Sequence, residues 1–391
     1  MTELKKIKQL PVLTSQGQAG ELIRESQFVF NYTTQNPECE IALTMPLRAQ
    51  SYAASILPGV LRQNLPEGYL LDWIKVHFGK VVTKLDDMAI MGISGRNTIG
   101  RVYCVEGEAP QSRSTHESLK SLLTWKGTES LFEELSERFA ALSGVSGVQP
   151  KVLVSATDDD VIEKVSMKER EFIVKASGDD YPGLAENEFI CMSIAAKAGL
   201  DVPKCWLSDD RKLFIIERFD IDGDRYLGFE DMTALMNKQN DEKYNGSYEQ
   251  IAKAINLFVT PELRQSSLES FFSTVALSVL LRNGDAHLKN FGLLYTNPQT
   301  HDVRLSPAYD IVTTTVYIPR DVLALKLDKS KGWPTKKQLV EFGKAHCNLD
   351  QPEQIAERIA DAAMAFRPDE DSEIWQQMKP IIDNACFGYA A

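Results

Sequence analysis

The sequence has few cysteines and none of the patterns by which cysteine builds a scaffold or a metal site. Its six cysteines are scattered over 391 residues, no two form a C-x-x-C pair, and none clusters with the five histidines. A disulfide framework and a zinc site are both disfavoured, because each needs such groupings. Free thiols are typical of a reducing compartment, which favours a cytoplasmic protein.

Positive charge is also in short supply. Lysine and arginine number 43 against 55 aspartate and glutamate residues, which gives a formal net charge of −12. A chain with this balance repels a polyphosphate backbone as a whole. The charge therefore argues against a free-standing nucleic-acid binder.

Long hydrophobic runs are missing as well. The longest, Phe271–Leu281, carries hydroxyl groups and is shorter than the roughly 20 apolar residues of a membrane helix. Hydrophobic residues make up 43% of the chain and charged residues 25%, a balance typical of a soluble globular enzyme. We expect no membrane segment and a cytoplasmic location.

Hydrophobic patterns predict a small α/β unit at the beginning of the chain. Strand-like runs cover Phe28–Tyr32, Glu40–Met45 and Ile99–Cys104, and a helical stretch covers about 51–80. Within that stretch, the Pro and Gly of NLPEG (Asn64–Gly68) predict that one helix ends and another begins. Polar residues 106–118 form the best linker candidate.

After the linker, strand patterns come first and helical patterns follow. Two β-rich runs, Lys151–Ala156 and Glu171–Ala176, precede a helix at Ala185–Ala198 and a strand at Lys212–Glu217. A β-rich lobe is therefore predicted to precede a helical lobe. The helices predicted for the latter are Tyr248–Phe258, Leu263–Arg282, Lys336–Cys347, Pro352–Phe366 and Ser372–Asn384.

The most informative motif is NGDAHLKNFGLL, in which Asp285 and Asn290 are five residues apart. This is the spacing of the protein-kinase catalytic loop, where the aspartate accepts the proton of the attacking hydroxyl and the asparagine binds Mg²⁺. Lys289 between them could neutralise charge on the transferred phosphoryl group. The same spacing also occurs in ordinary turns, since Asp and Asn are common turn residues.

A second carboxylate follows at the position that kinase order requires. Asp310 ends an apolar run 20 residues after Asn290, in LSPAYDIVTT. Mg²⁺ prefers a few protein oxygens together with phosphate oxygens, so Asn290 and Asp310 are candidate metal ligands alongside ATP.

A strand lysine lies upstream. Lys175 ends the strand pattern EFIVK, as the phosphate-pairing lysine of kinases does, although most strand lysines are simply solvated. Glu188 on the next helix could pair with it, and Glu186 competes for that role.

A glycine-bearing loop, Ser143–Lys151, precedes these features. Gly144 and Gly147 permit the backbone to turn its N–H groups toward a phosphate. The loop matches neither G-x-G-x-x-G nor the Walker A pattern, and a plain helix-to-strand turn is the alternative. Together, the glycine loop, strand lysine, D-x-x-x-x-N motif and late aspartate follow kinase order.

The combined motifs resemble the HipA family of serine/threonine kinase toxins from bacterial toxin–antitoxin systems. The resemblance covers roughly residues 25–365. It is carried by SGVQPK (Ser146–Lys151), FIVK (Phe172–Lys175), ERFD (Glu217–Asp220), NGDAHLKNFG (Asn283–Gly292) and SPAYDIV (Ser306–Val312), with NLPEG upstream.

The resemblance implies an α+β fold with a small α/β N-terminal domain followed by a bilobal protein-kinase-like domain. The expected boundaries are 1–115 for the N-terminal domain, 116–220 for the β-rich N-lobe with the glycine loop and strand lysine, and 221–391 for the mostly helical C-lobe with the catalytic loop.

The resemblance also implies the site residues. Asp285 would be the catalytic base, Asn290 and Asp310 the metal ligands, and the segment Glu217–Phe219 the hinge whose backbone meets adenine. The ATP-binding residues would be Ser146, Gly147, Val148, Gln149, Pro150, Lys151, Lys175, Glu217, Arg218, Phe219, His287, Lys289, Asn290, Tyr309 and Asp310.

Members of the family autophosphorylate a serine of the glycine loop, which inactivates them. The family often places that serine where this chain has Gly144, and the nearby hydroxyls are Ser143 and Ser146. We therefore expect Ser146 to be the modified residue.

Substrate and partners also follow from the resemblance alone. The family phosphorylates aminoacyl-tRNA synthetases, glutamyl-tRNA synthetase being the example, and so arrests translation and causes persistence. Its partner is HipB, a helix-turn-helix antitoxin that binds the operator. The acidic chain would then meet DNA only indirectly, through the antitoxin.

Two alternatives remain open from the sequence. A small-molecule kinase of the aminoglycoside or choline type has a catalytic loop similar to NGDAHLKN, although the N-terminal domain and the SGVQPK loop argue against it. An inactive co-repressor scaffold is the other alternative, and the presence of all the expected catalytic residues disfavours it.

Overall fold

The structure is a computed structural model of the chain, and its backbone falls into two compact units. It describes residues 7–78, 85–104, 117–125, 135, 143–144, 149, 151–157, 169–178 and 180–389. The first unit comprises residues 1–178, 206–230 and 295–300, and the second comprises 179–205, 231–294 and 301–391. The fold is of the α+β class, as the sequence predicts, with a β-rich first unit and a mostly helical second unit.

The first unit contains most of the strands. Its strands are β1 (Gln9–Thr14), β2 (Gly17–Arg24), β3 (Phe28–Tyr32), β4 (Tyr52–Ala54), β5 (Asn97–Thr98), β6 (Val102–Cys104), β7 (Glu117–Ser118), β8 (Ser143–Gly144), β9 (Lys151–Thr157), β10 (Glu169–Ala176), β11 (Cys205–Leu207), β12 (Leu213–Glu217), β13 (Ile221–Asp222), β14 (Arg225–Tyr226) and β15 (Gly228–Asp231). Its helices are α1 (Gly59–Arg62), α2 (Gly68–Phe78), α3 (Asp87–Ser94) and α4 (Leu119–Thr124).

Two five-stranded sheets organise this unit. The N-terminal sheet has the order β4-β3-β2-β1-β6, and cross-strand partners such as Leu10, Leu22 and Phe30 are fully buried in its core. The other has the order β11-β12-β10-β9-β7. Val152 and Val174 face its apolar core, because residues opposite each other on neighbouring strands share a face.

Two sequence predictions for the N-terminal part need correction. Glu40–Met45 is not a strand: the Leu43 N–H donates to the Glu230 carboxylate at 2.7 Å, and the Ile41 N–H donates to the Tyr32 hydroxyl at 3.0 Å. Side chains thus take the hydrogen bonds that a strand ladder would otherwise make. The stretch 51–80 is not one helix either, because it contains β4, α1 and α2. The break inside NLPEG is confirmed, since α1 ends at Arg62 and α2 begins at Gly68.

The second unit is built around helices. Its helices are α5 (Leu184–Lys197), α6 (Met232–Leu235), α7 (Tyr248–Phe258), α8 (Arg264–Leu280), α9 (Lys336–Cys347), α10 (Pro352–Ala365) and α11 (Glu373–Cys386), and its strands are β16 (Gly292–Tyr295) and β17 (Arg304–Leu305). Helix α8 is buried along most of its length and packs against α7, α9, α10 and α11. Its hydroxyls bond carbonyls one turn earlier, as Ser278 does to Thr274 at 2.9 Å, so they are satisfied without water.

No helix in the described ranges is both long enough and apolar enough to serve as a membrane span. The predicted linker 106–118 lies outside the described residues except for Glu117 and Ser118, which form β7. The division into three domains at residues 115 and 220 stays a prediction.

The ERFD motif forms a buried ionic network within the first unit. The Arg218 guanidinium bonds the Asp220 carboxylate at 2.6 and 3.0 Å, Glu171 at 2.6 Å and the Thr98 carbonyl at 2.7 Å. The Asp220 carboxylate also accepts the Gly100 N–H at 2.6 Å. Burial alone would lower the pKa of Arg218, but Asp220 and Glu171 outweigh it and raise the pKa above its ordinary value.

Replacing Arg218 by alanine should destabilise the chain by about 3–5 kcal/mol, because it leaves the Asp220 carboxylate buried without its counter-ion. Urea denaturation of the full chain, followed by fluorescence, measures the change. The additional substitution Asp220→Ala should recover part of the loss, since it removes the stranded charge. Lys75→Ala, which removes an exposed pair with Asp72, is the control and should change stability little. Equal stabilities of Arg218→Ala and this control would contradict the prediction.

Candidate active site

The catalytic-loop motif begins where α8 ends. Arg282 adopts a left-handed backbone with φ of 56°, and the Asn283 N–H reaches back to the Ser278 carbonyl at 2.8 Å. This is the hydrogen bond that closes a helix with a left-handed residue. The Asn283 side chain then accepts the Asp285 N–H at 3.0 Å, which fixes the direction in which the chain leaves the helix.

Gly284 is required at its position because the backbone is tightly packed there. A Cβ at Gly284 would lie 2.1 Å from a carboxylate oxygen of Asp321 and 2.7 Å from the Val322 carbonyl. Thr314 holds both sides together, since its hydroxyl accepts the Gly284 N–H at 2.8 Å and donates to Asp321. The glycine in NGD therefore permits close approach of two segments.

Asp285 already accepts a hydrogen bond from a hydroxyl group. The Tyr244 hydroxyl donates to Asp285 Oδ1 at 2.7 Å, although the two residues are 41 positions apart. Burial raises the pKa of Asp285 above its ordinary value, the Tyr244 hydrogen bond opposes the rise, and Asp310 adds to it. A carboxylate with a raised pKa and a hydroxyl on it has the form of a general base.

The side chains of Asn290 and Asp310 are in direct contact. Asn290 Nδ2 donates to Asp310 Oδ2 at 2.6 Å, and Asn290 Oδ1 accepts the His287 N–H at 2.9 Å. Asp310 has a left-handed backbone with φ of 60°, which non-glycine residues adopt rarely and often at functional sites. Amide and carboxylate oxygens are donors that a hard cation prefers.

Hydrogen bonds from other segments hold the stretch that carries Asp310. Asn187 of α5 bonds the Thr313 backbone twice, at 2.8 and 3.1 Å. The Tyr309 hydroxyl donates to the Lys289 carbonyl at 2.7 Å, which ties the segment to the catalytic loop. Burial raises the pKa of Tyr309 well above its ordinary value, so this phenol stays protonated and remains a donor. Tyr309 thus acts in positioning.

His287 is buried beside these groups and is uncharged at neutral pH. Burial lowers its pKa to about 3, and Lys243 contributes in the same direction. Its Nδ1 atom is buried and has no hydrogen-bond partner among the described residues. An orphaned polar atom at such a place fits a ligand that brings the missing partner.

Lys289 contributes positive charge next to a buried carboxylate. Burial raises the pKa of Asp231, and the charge of Lys289 opposes that rise. Asp231 caps α6 by accepting the Ala234 N–H at 2.8 Å, so its position is fixed. The second unit therefore brings together the predicted residues Asp285, His287, Lys289, Asn290, Tyr309 and Asp310.

The remaining predicted site residues that the structure describes lie in the first unit. Lys175 is 4% exposed and lies opposite Lys151 on the neighbouring strand, so the two share one face of the sheet. Its burial excludes a simply solvated strand lysine. Gln149 donates to the Ala176 carbonyl at 3.3 Å. Glu188 of α5, in the second unit, is fully buried, whereas Glu186 is half-buried.

The predicted hinge begins at the end of β12. Glu217 is its last residue, the Arg218 N–H donates to the Glu171 carbonyl at 3.0 Å, and Phe219 stacks edge-on against Phe229. The Arg218 side chain is part of the buried ionic network. Binding of adenine by this segment, and convergence of Lys175 with Asp310, stay predictions. Ser146, Gly147, Val148 and Pro150, which include the predicted autophosphorylation site, lie outside the described residues.

The sequence does not single out Tyr244, although the kinase interpretation makes its segment a candidate for substrate or nucleotide contacts. It belongs to the polar segment 237–250, which has the composition of a surface loop. The segment is nevertheless anchored to the catalytic loop, because the Leu288 N–H donates to the Lys243 carbonyl at 3.1 Å and the Tyr248 hydroxyl donates to the Ala286 carbonyl at 3.1 Å. The buried tyrosine at position 248, four residues on, is the one local sign that this loop packs inward.

Two family models match the chain in sequence order. Residues 10–105 match the HipA N-terminal domain, and residues 143–367 match the HipA-like C-terminal domain. The second match alone covers more than half of the chain.

Curated relatives match part of the chain. The inferred kinase Y4dM of Sinorhizobium fredii is 32% identical over 176 residues, which is 41% of this chain and 42% of the relative. An inferred kinase of Haemophilus influenzae is 32% identical over 188 residues, 44% of this chain and 53% of the relative. The matched part of the chain thus spans about half the length of these relatives.

A solved structure matches nearly the whole chain. It is HipA of Shewanella oneidensis in complex with HipB and its operator DNA, with a TM-score of 0.71 over 97% of both chains and 20% sequence identity. At this identity the likeness shows a common fold.

Gly284→Ala should destabilise the chain by about 1–3 kcal/mol, because the added methyl group overlaps the Asp321 carboxylate and the Val322 carbonyl. Thermal denaturation of the purified full chain measures the loss. Gly388→Ala, where an added Cβ meets nothing within 4 Å, is the matched control. A melting temperature for Gly284→Ala equal to that of the control would show that the close packing at Gly284 is not a constraint.

Proposed function

The chain belongs to the HipA family, and on that basis we propose that it is an ATP-dependent kinase that phosphorylates a serine or threonine hydroxyl of a protein. The observation that carries the proposal is the environment of Asp285. This carboxylate has a raised pKa, accepts a hydrogen bond from a hydroxyl at 2.7 Å and lies five residues before Asn290, which contacts Asp310. The names of the curated relatives support the same chemistry.

In the proposed reaction, the acceptor hydroxyl takes the place of the Tyr244 hydroxyl on Asp285. The acceptor oxygen forms a bond to the γ-phosphorus, the bond from that phosphorus to the bridging oxygen breaks, and ADP leaves with the electron pair. Asp285 takes the proton of the hydroxyl. Because its pKa is raised, it accepts this proton more readily than an ordinary aspartate does.

ATP and Mg²⁺ fit the residues around Asp285. Asn290 and Asp310 supply the oxygen donors that would hold the metal, and Mg²⁺ would neutralise charge on the phosphates. The orphaned His287 Nδ1 and the ammonium group of Lys289 would bind phosphate oxygens. The remaining nucleotide-binding residues proposed from the family are Lys151, Lys175, the backbone of residues 217–219 and the glycine loop Ser146–Pro150.

Partners and target are proposed from the family. We propose a HipB-like helix-turn-helix antitoxin as the partner, since the structurally similar Shewanella HipA was solved with HipB and operator DNA. DNA would be met only through that partner, and the chain would work in the cytoplasm. The substrate would be an aminoacyl-tRNA synthetase such as glutamyl-tRNA synthetase, whose modification arrests translation, and Ser146 would be the autophosphorylation site.

Asp285→Asn should lower the rate of phosphoryl transfer about 10²-fold or more, because the amide cannot accept the proton. The assay follows label from γ-labelled ATP into cell extract, with the exposed carboxylate variant Asp369→Asn as control. Undiminished transfer by Asp285→Asn would refute the role of this carboxylate. Label in small metabolites alone would favour the small-molecule kinase. A second experiment expresses the chain in growing cells. Growth arrest that persists in the Asp285 variant would favour the inactive co-repressor scaffold.

Tyr244→Phe should shift the acidic limb of the pH profile of kcat/KM to higher pH. The Tyr244 hydrogen bond lowers the pKa of Asp285, so its removal raises that pKa further, and the base becomes competent only at higher pH. Tyr181→Phe is the control, because Tyr181 and Tyr244 are both 42% exposed. An unchanged limb, or a shift to lower pH, would contradict the assigned hydrogen bond.

A further inference from the structure

A positively charged cavity within the second unit is lined in part by Tyr244. Its volume is about 600 Å³, and it opens to solvent between the segment 238–250 and the segment 326–331. We call it the lysine pocket. The charged residues that line it are Lys238, Lys326, Lys329 and Lys331, together with Glu249 and Asp328.

One wall of the lysine pocket is the residue that contacts the proposed base. Tyr244 lines the pocket, and its hydroxyl donates to Asp285 at 2.7 Å. Lys331 Nζ donates to the Tyr244 carbonyl at 3.3 Å, so a pocket lysine helps to hold the tyrosine in place. A group bound in the pocket would therefore lie one side chain away from the acceptor position on Asp285.

The two segments that form the pocket are tied together by backbone contacts. The Lys326 N–H donates to the Gly246 carbonyl at 3.2 Å, and the Tyr248 N–H donates to the Lys326 carbonyl at 3.0 Å. The Asp328 N–H donates to the Glu249 carboxylate at 2.8 Å, which uses one of the two acidic groups to hold the turn. The pocket is thus part of the folded unit.

The positive charge of the pocket is only partly compensated. Lys326 and Lys329 are exposed, and in the part of the chain that the structure describes their ammonium groups form no ion pair. The first turn of α7 also lines the pocket through Ser247, Glu249 and Gln250, and the N-terminal end of a helix adds partial positive charge. This local excess of lysine contrasts with the net charge of −12 of the whole chain.

We propose that the lysine pocket binds an acidic segment of the protein substrate and so places a neighbouring serine or threonine hydroxyl on Asp285 in place of the Tyr244 hydroxyl. The inference rests on the proposed kinase function and adds the chemistry of its substrate. An acidic peptide fits better than a nucleic acid, because the pocket is a local site of a few lysines and the negative chain around it repels a long polyanion. Exposed Tyr244 can leave Asp285 when the segment binds.

The test uses the full chain and two fluorescein-labelled serine peptides of equal length, one with glutamates around the serine and one with glutamines. Fluorescence anisotropy should show that the glutamate peptide binds at least about tenfold more tightly. Lys326→Glu with Lys329→Glu should weaken its binding by about tenfold or more, because reversal turns two attractive charges into repulsive ones. Lys204→Glu with Lys212→Glu makes the same charge change at exposed lysines outside the pocket and should leave binding as it is.

Equal binding of the two peptides would overturn the proposal, and so would unchanged binding by the Lys326/Lys329 variant. Stronger competition from a single-stranded RNA of equal charge would also overturn it, since the pocket would then prefer a nucleic acid. The titration needs no turnover, so its failure is separate from failure of the kinase assay. If the chain transfers phosphate but does not favour the glutamate peptide, the kinase function stands and the proposed role of the lysine pocket is wrong. If the chain is inactive but favours this peptide, the pocket binds acidic peptides and the proposed kinase function is wrong.

Discussion

The hydrogen bond between Asn290 and Asp310 is the contact on which the rest of the site depends. It joins two segments that are 20 residues apart, and its length of 2.6 Å requires both backbones to be placed accurately. The chain turns at the left-handed residues Arg282 and Asp310 and at Gly284, which packs closely against Asp321. These turns bring the two side chains together. The backbone of this region is therefore strained where it brings these polar side chains together. Such strain is common at ligand-binding sites.

The carboxylate charges of this region are only partly balanced. Asp310 and Asp321 repel the charge of Asp285, and the pKa of Asp285 is raised partly for this reason. Lys243 lowers that pKa, and the Tyr244 hydroxyl does the same by hydrogen bonding. A cation held by Asp310 and Asn290 would relieve the repulsion further. His287 stays neutral in the same place and so adds no charge, and its Nδ1 atom has no hydrogen-bond partner among the described residues.

The sequence predicts helices best where local signals and burial agree. Tyr248–Phe258 and Lys336–Cys347 have the predicted bounds, because Ser247 with Gln250 and Thr335 with Gln338 form capping boxes that mark where each begins. The prediction for Glu40–Met45 is wrong because several of its hydrogen-bond partners lie far along the chain. Arg101 donates to the Glu40 carbonyl, and Gln299 bonds the Glu40 carboxylate at 2.6 Å. No local sequence pattern indicates partners that are so far away along the chain.

The same distinction separates the site residues that could be predicted from those that could not. Asp285, Asn290 and Asp310 have fixed spacing and order, so a single sequence is enough to nominate them. Tyr244 has no motif, and its importance comes only from a contact across 41 residues.

The ERFD motif illustrates a further limit of motif reasoning. The family resemblance implies a nucleotide hinge at this motif, yet the charges of Arg218 and Asp220 satisfy each other within the first unit and bind the Thr98 and Gly100 backbone. A motif residue can therefore serve the fold while its neighbours serve the chemistry. Only the partners of each side chain separate the two roles. The charge of Arg218 is satisfied within the fold, whereas Lys326 and Lys329, which no motif includes, line the pocket proposed to bind the substrate.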